Sequence, residues 1–225
     1  MPLQNRVTPF GTLEAVAARG AWTGNRGILH DEHQRIVVQW RSKAWITCRL
    51  QFKGVHRAVF SPHTWSELFF LDEATAFAAG HRPCACCRRE RYVEFKNAWC
   101  AANRPLIGRP NPRVQRIDAI LHRQRLTPDG GKRTWRARLS ELPDGAFVVV
   151  DGNACLRWHG RVLPWSHRGY GAALHGVDAH ALVEVLTPRS IVATFAIGLV
   201  PQVHLSASAG CGVRRAASQR PPGLA

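Results

Sequence analysis

Short apolar runs separated by polar turns fill the first sixty residues. Residues 27–31 (GILHD), 35–40 (RIVVQW), 44–52 (AWITCRLQF) and 58–60 (AVF) are rich in β-branched and aromatic side chains, and DEHQ, RSK and KGVHR interrupt them. This rhythm predicts a β-meander. The period then lengthens. Asp72 is a good N-cap, Ala74, Ala76, Ala78 and Ala79 favour helix, and Gly80 stands where a helix stops. Pro83 keeps the next residues extended. A second helix is predicted from about Arg88 to Ala101, with Tyr92, Phe95 and Trp99 on one face. The Pro- and Gly-rich stretch 104–113 reads as a linker. A short basic helix follows over 114–126, with Ile117, Ile120 and Leu121 inward, and residues 145–186 read as a second strand-rich unit. Pro188 can open a last helix through SIVATFAIG.

These elements predict an α+β fold. A first unit, residues 1–103, holds the meander and two helices. The linker 104–113 joins it to a basic, strand-rich unit over 114–205, and the small, polar, basic tail 206–225 is expected to be disordered.

Charge and cysteine content narrow the chemistry. The 225 residues carry 31 Lys and Arg against 15 Asp and Glu, a net charge of +16. That balance suits a polyanionic partner, because each neutralised phosphate releases counterions. Apolar residues make up 45% of the chain, enough for a buried core, and no apolar run is long enough to span a bilayer. MPLQNRVTPF lacks the apolar core of a signal peptide, so a cytoplasmic location is expected. The seven cysteines are odd in number and Cys84, Cys86 and Cys87 are clustered, a pattern of metal binding or a reactive thiol rather than a disulfide framework. No P-loop, dinucleotide fingerprint, H-E-x-x-H or G-x-S-x-G is present, which leaves the common nucleotide-cofactor enzymes and hydrolases unsupported.

The stretch FFLDEATAFAAGHRPCACCRRERYVEF, residues 69–95, resembles the second half of the metal-binding motif of Ada-type DNA-repair proteins. Phe69 and Phe70 match its aromatic pair, Asp72 to Ala79 its short helix, and Gly80, Arg82, Pro83, Cys84 and Cys87 its core, with His81 at an aromatic position. The resemblance spans roughly residues 44–95. It implies a zinc ion on Cys84, Cys87 and an upstream cysteine pair. Only Cys48 stands upstream here, because Ala44 occupies the position where its partner is expected. Candidates for the fourth ligand are Cys86, His81, His63, His56, His33 and His30. Arg82, Arg88 and Arg89, beside the pair, would contact DNA phosphates. In the family one zinc-bound cysteine irreversibly accepts a methyl group from a DNA methylphosphotriester, a role only Cys48 can inherit in this chain. Strand alternation puts Cys48 on the same face as Ile46 and Leu50, the expected core side, which predicts a structural sulfur out of reach of DNA.

Three further constellations stand apart. Asp118 and His122, one helical turn apart, suit a metal-dependent nuclease or an ordinary solvated helix face. His175, Asp178 and His180 lie in a Gly- and Ala-rich loop without a partner motif. Trp135, Trp158, Trp165 and Tyr170 alternate with Arg along predicted strands, as either a base-stacking surface or the filling of a small core.

Overall fold

A computed structural model describes residues 1–54, 58–108 and 110–208. Its mixed α+β architecture has two six-stranded sheets and five helices. The first sheet is built from β1 (Arg6–Val7), β2 (Leu13–Glu14), β3 (Trp22–Asn25), β4 (Ile46–Cys48), β5 (Leu68–Phe70) and β6 (Arg82–Pro83), in the order β2-β1-β5-β3-β4-β6. Between β5 and β6 lies helix α1 (Glu73–Ala78). Next come α2 (Arg89–Ala102), α3 (Arg104–Ile107) and α4 (Val114–Arg125). The second sheet contains β7 (Trp135–Arg138), β8 (Phe147–Val150), β9 (Asn153–Trp158), β10 (Arg161–Ser166), β11 (Gly169–Tyr170) and β12 (Leu182–Val185), ordered β11-β10-β9-β8-β12-β7 with antiparallel pairing throughout. Helix α5 (Arg189–Ala196) follows.

The predicted meander is the part that changes most. Within 27–40 only an isolated bridge, His30 to Ile36, survives, while β1, β2 and β3 come from segments the pattern did not mark. Apolar content in 27–40 instead serves packing: Leu29 is buried with Val7, Leu68 and Phe70, and Ile36 and Val38 lie against them. The helices follow the sequence closely. Asp72 accepts a hydrogen bond from the Thr75 backbone N–H at 2.8 Å and so caps α1, and Gly80 ends that segment at φ +88°. A Cβ at Gly80 would stand 2.6 Å from Arg125 Cδ, so both the backbone angle and the space require glycine.

Every residue of α1 is buried. Ala74 and Ala78 pack with Phe147, Leu156 and Leu163 of the second sheet, Phe77 with Phe95, Trp99 and Ile117 of the helices, and Ala76 with Leu13 and Leu68 of the first sheet. Side chains from both sides of the 104–113 stretch therefore share the same cores. That stretch itself begins with α3, whose Ile107 is buried among Phe95, Trp99 and Ile117. The tail also starts in order: residues 205–207 form a 3-10 turn and Ala207 is buried, while 209–225 lie outside the described residues. Among the described residues no helix is long and apolar enough to cross a membrane.

Two carboxylates at the start of α1 fasten the segment 200–204. Asp72 accepts from Tyr170 Oη at 2.6 Å and from the His204 N–H at 3.0 Å. Glu73, 1% exposed, accepts from Arg88 at 2.5 Å, from Arg91 at 2.7 Å and from the Gln202 N–H at 2.9 Å. Removing one partner of a buried pair leaves the other charge uncompensated, a cost of about 3–5 kcal/mol. Glu73→Ala is expected to lower unfolding stability by about that amount in urea titrations. Glu94→Ala, which breaks a surface ion pair of the same Arg91, is expected to cost under about 1 kcal/mol.

Candidate metal centre

Parallel pairing of β4 with β6 brings distant cysteines together. Ile46 pairs with Arg82 and Thr47 with Pro83, and the Cys84 N–H continues the ladder to the Thr47 carbonyl at 2.9 Å. Cys48 and Cys84 thus emerge side by side from neighbouring strands. A tight turn over 85–88 then places Cys87 just before α2. The sulfurs of Cys48, Cys84 and Cys87 all lie within 4.8 Å of one another, a group that can hold a metal ion.

The donor set suits a metal that takes thiolates. Two backbone N–H groups point at the sulfurs, Cys86 N–H to Cys84 Sγ and Arg49 N–H to Cys87 Sγ, each at 3.4 Å. Such bonds favour an anionic sulfur. Without metal, the Cys48 thiol donates to Cys84 and, with the Cys86 and Cys87 amides, holds Cys84 down to about 5. Cys48 is pushed up in turn by that same hydrogen bond and by burial, and Cys87 by burial. These contacts therefore favour a negative charge on Cys84 over its two neighbours.

No further His, Cys, Asp or Glu among the described residues completes the group. Cys86 is exposed. His81 is fully buried between the rings of Trp45 and Phe70, and its Nε2 accepts from Arg26 Nε at 3.2 Å. Burial beside Arg26 and Arg125 keeps it neutral. His30 bonds Ser66 at 2.6 Å and stacks on Phe60, whereas His33 and His63 are exposed. His56 lies outside the described residues.

The three cysteines form part of the wall of a cleft of about 460 Å³, with Phe52, Trp65, Phe69, Asn25 and Glu67 among its other walls. This overturns the core-side expectation for Cys48. Trp45 and Thr47 are the buried residues of the strand, at 2% and 1% exposure, while Ile46 and Cys48 face the cleft and Leu50 is 51% exposed. Counting apolar side chains chose the wrong face, because a Trp packed with arginines and a small Thr occupy the inner one. Besides the cysteines, Phe69 had a signal in the sequence, as half of the aromatic pair, whereas Asn25, Trp65 and Glu67 had none.

The proposed phosphate contacts also change. Arg82 is buried and donates to both oxygens of Asp118, at 2.7 and 2.8 Å, and Arg88 is buried on Glu73 and over the Trp22 ring. Arg89 alone of the three is exposed, beside exposed Arg49 on a second, more polar hollow that shares Cys86 and Cys87 with the cleft. The Arg82 pair also takes Asp118 away from any nuclease role. His122 packs against Trp40, and burial, with Arg125 and Lys43 nearby, lowers it to about 4. Trp158 and Tyr170 fill the core beside the second sheet, Trp165 packs against it, and Trp135 donates to the Thr187 carbonyl beneath Arg189. These aromatics are core filling rather than a base-stacking surface.

Metal analysis of purified protein is expected to find about one ion per chain, with three sulfur ligands from the described residues. Cys84→Ser should abolish it and exposed Cys86→Ser should leave it intact. In metal-free protein the ultraviolet thiolate absorbance should persist at neutral pH and vanish as pH falls through about 5, when Cys84 takes up its proton. Comparison of the chain with family models, with curated proteins and with solved structures returns no significant match.

Proposed function

We propose that the chain is an Ada-like zinc–thiolate protein that acts on DNA, with Cys48, Cys84 and Cys87 as the ligands. The observation that supports this best is the convergence of three sulfurs on the wall of an open cleft. Sites that only staple a fold are closed by four protein ligands, whereas reactive sites keep a position free, and among the described residues three ligands converge here. Zinc, when bound, would keep the sulfurs deprotonated near neutral pH.

The chain's own part is presentation. Cys48, less buried than Cys84 or Cys87, faces the cleft with apolar Phe52, Val59 and Phe69 nearby. A methylphosphotriester is locally neutral, so entering such a cleft does not require stripping water from a charged phosphate. In the methyl-transfer reading the Cys48 sulfur attacks the methyl carbon. A carbon–sulfur bond forms, the carbon–oxygen bond breaks, and the phosphodiester leaves with the electron pair as an anion. Exposed Arg49 and Arg89 lie beside the cysteines, where they would meet neighbouring phosphates.

Two measurements test this reading. Incubating zinc-loaded protein with methylphosphotriester DNA should add one methyl group to Cys48, read by mass spectrometry; an unmodified Cys48 would remove the transfer reaction. Binding to DNA should weaken steeply with salt. Arg49→Ala with Arg89→Ala should reduce the log–log salt slope by about one for each phosphate no longer neutralised, equally for all sequences. No binding at low salt would remove DNA as the partner.

A further inference from the structure

The opposite side of β4 carries a second site, independent of the cysteines. Trp45 turns away from the cleft into a cavity of about 570 Å³ lined also by Arg26, Arg125 and Lys132. Arg26 and Arg125 are each 1% exposed, and both guanidinium groups lie over the Trp45 ring, 3.8 and 3.9 Å from its centre. Lys132 stands half-buried, with its Nζ 2.5 Å from the Ala78 carbonyl.

The hydrogen-bond partners of these cations are neutral. Arg26 donates to His81 Nε2 and to the Gly11 carbonyl, and its Nη2 is buried without a partner. Arg125 donates to the Gly80 and Lys43 carbonyls and to His122 Nδ1, and its Nε is likewise buried without a partner. No acidic side chain among the described residues lines the cavity. Asp118 acts on Arg125 through space, but its oxygens are bonded to Arg82, and Asp129, in the turn before Lys132, is bonded to Thr127.

Gathering three like charges in a place shielded from water is costly unless an anion joins them. Burial, aided by mutual repulsion with the two arginines, lowers Lys132 to about 7, and burial lowers Arg26 to about 9. Donors on three separate segments suit a tetrahedral dianion better than a planar carboxylate, which a single guanidinium can satisfy. The volume exceeds that of inorganic phosphate and leaves room for an organic substituent against Phe10, Leu13 and Leu126.

We propose that this cavity binds a phosphate monoester through its phosphoryl oxyanion, with Arg26, Arg125 and Lys132 as the counter-charges. The ester is carried either by a free, nucleotide-sized molecule or by the 5′ end of a nucleic-acid strand. Neither the metal nor the chemistry of Cys48 is needed for it.

Inorganic phosphate is the first probe, used on the full chain with its metal retained. Thermal unfolding in phosphate should show a saturable rise over chloride at equal ionic strength, as expected for a ligand bound only by the folded state. Lys132→Gln, a change at a half-buried position, should weaken phosphate binding about tenfold or more in calorimetric titration, because it removes a charge-assisted hydrogen bond. Arg26→Gln should weaken it further; if that variant does not fold, Lys132→Gln decides. Tighter binding of a nucleoside monophosphate than of a 5′-phosphorylated oligonucleotide assigns the free ester. The reverse order, with preference for the 5′-phosphorylated over the 5′-hydroxyl strand, assigns the strand end. Absence of a saturable shift, or equal phosphate affinity in wild type and Lys132→Gln, would overturn the proposal.

Discussion

Burying a short helix on all sides is the constraint around which this protein is arranged. Helix α1 is only six residues long, too short to be stable in water on its own. It persists because the two sheets and the helical layer each pack against it. Its alanines allow that close approach, since a larger side chain at Ala74, Ala76 or Ala78 would push a sheet away. Its first turn is equally enclosed, so its orphan N–H groups and its acidic side chains find partners inside the protein: Asp72 caps it, and Glu73 gathers Arg88, Arg91 and the chain at Gln202.

The same enclosure explains why a strongly basic sequence does not show its charge uniformly. Arg82 and Arg88 are held inside, each on a buried carboxylate. Arg26 and Arg125 are also inside, but with carbonyls, two histidines and the face of Trp45 for company. Buried arginine thus plays two parts. One holds elements together through matched pairs. The other lines a cavity with guanidinium groups that no carboxylate bonds.

Helices were legible in the sequence wherever local rules govern them. The cap at Asp72, the stop at Gly80, the aromatic face of α2 and the inward Ile117, Ile120 and Leu121 of α4 all follow from spacing and capping. Of the first sheet, β4 lies within the predicted strand 44–52, but β1, β2 and β6 were not legible, because they are two-residue strands whose existence depends on neighbours far along the chain. Of the site, the grouping of Cys48 with Cys84 and Cys87 was readable from the motif. The face of β4 was not: period-two alternation says which residues share a side but not which side is buried, and here Trp45 and Thr47 take the inside. The arginines next to the cysteines illustrate the same limit, since proximity in sequence carries no information on whether a side chain points to solvent or to Asp118.

Along the four consecutive residues Trp45 to Cys48, Trp45 lines a cavity with cationic walls, Ile46 and Cys48 line the cysteine cleft on the other side, and Thr47 is buried. The backbone there behaves as a thin partition wall, with a different occupant mounted on each side. Point substitutions can alter one side while sparing the other, so the two can diverge freely by exchange of side chains. Insertions and deletions have no such freedom. Gaining or losing a single residue in this segment would rotate Trp45 relative to Cys48 and spoil both sides together, and would detach β4 from its register with β3 and β6. In distant homologues this stretch should therefore vary in composition while keeping its length.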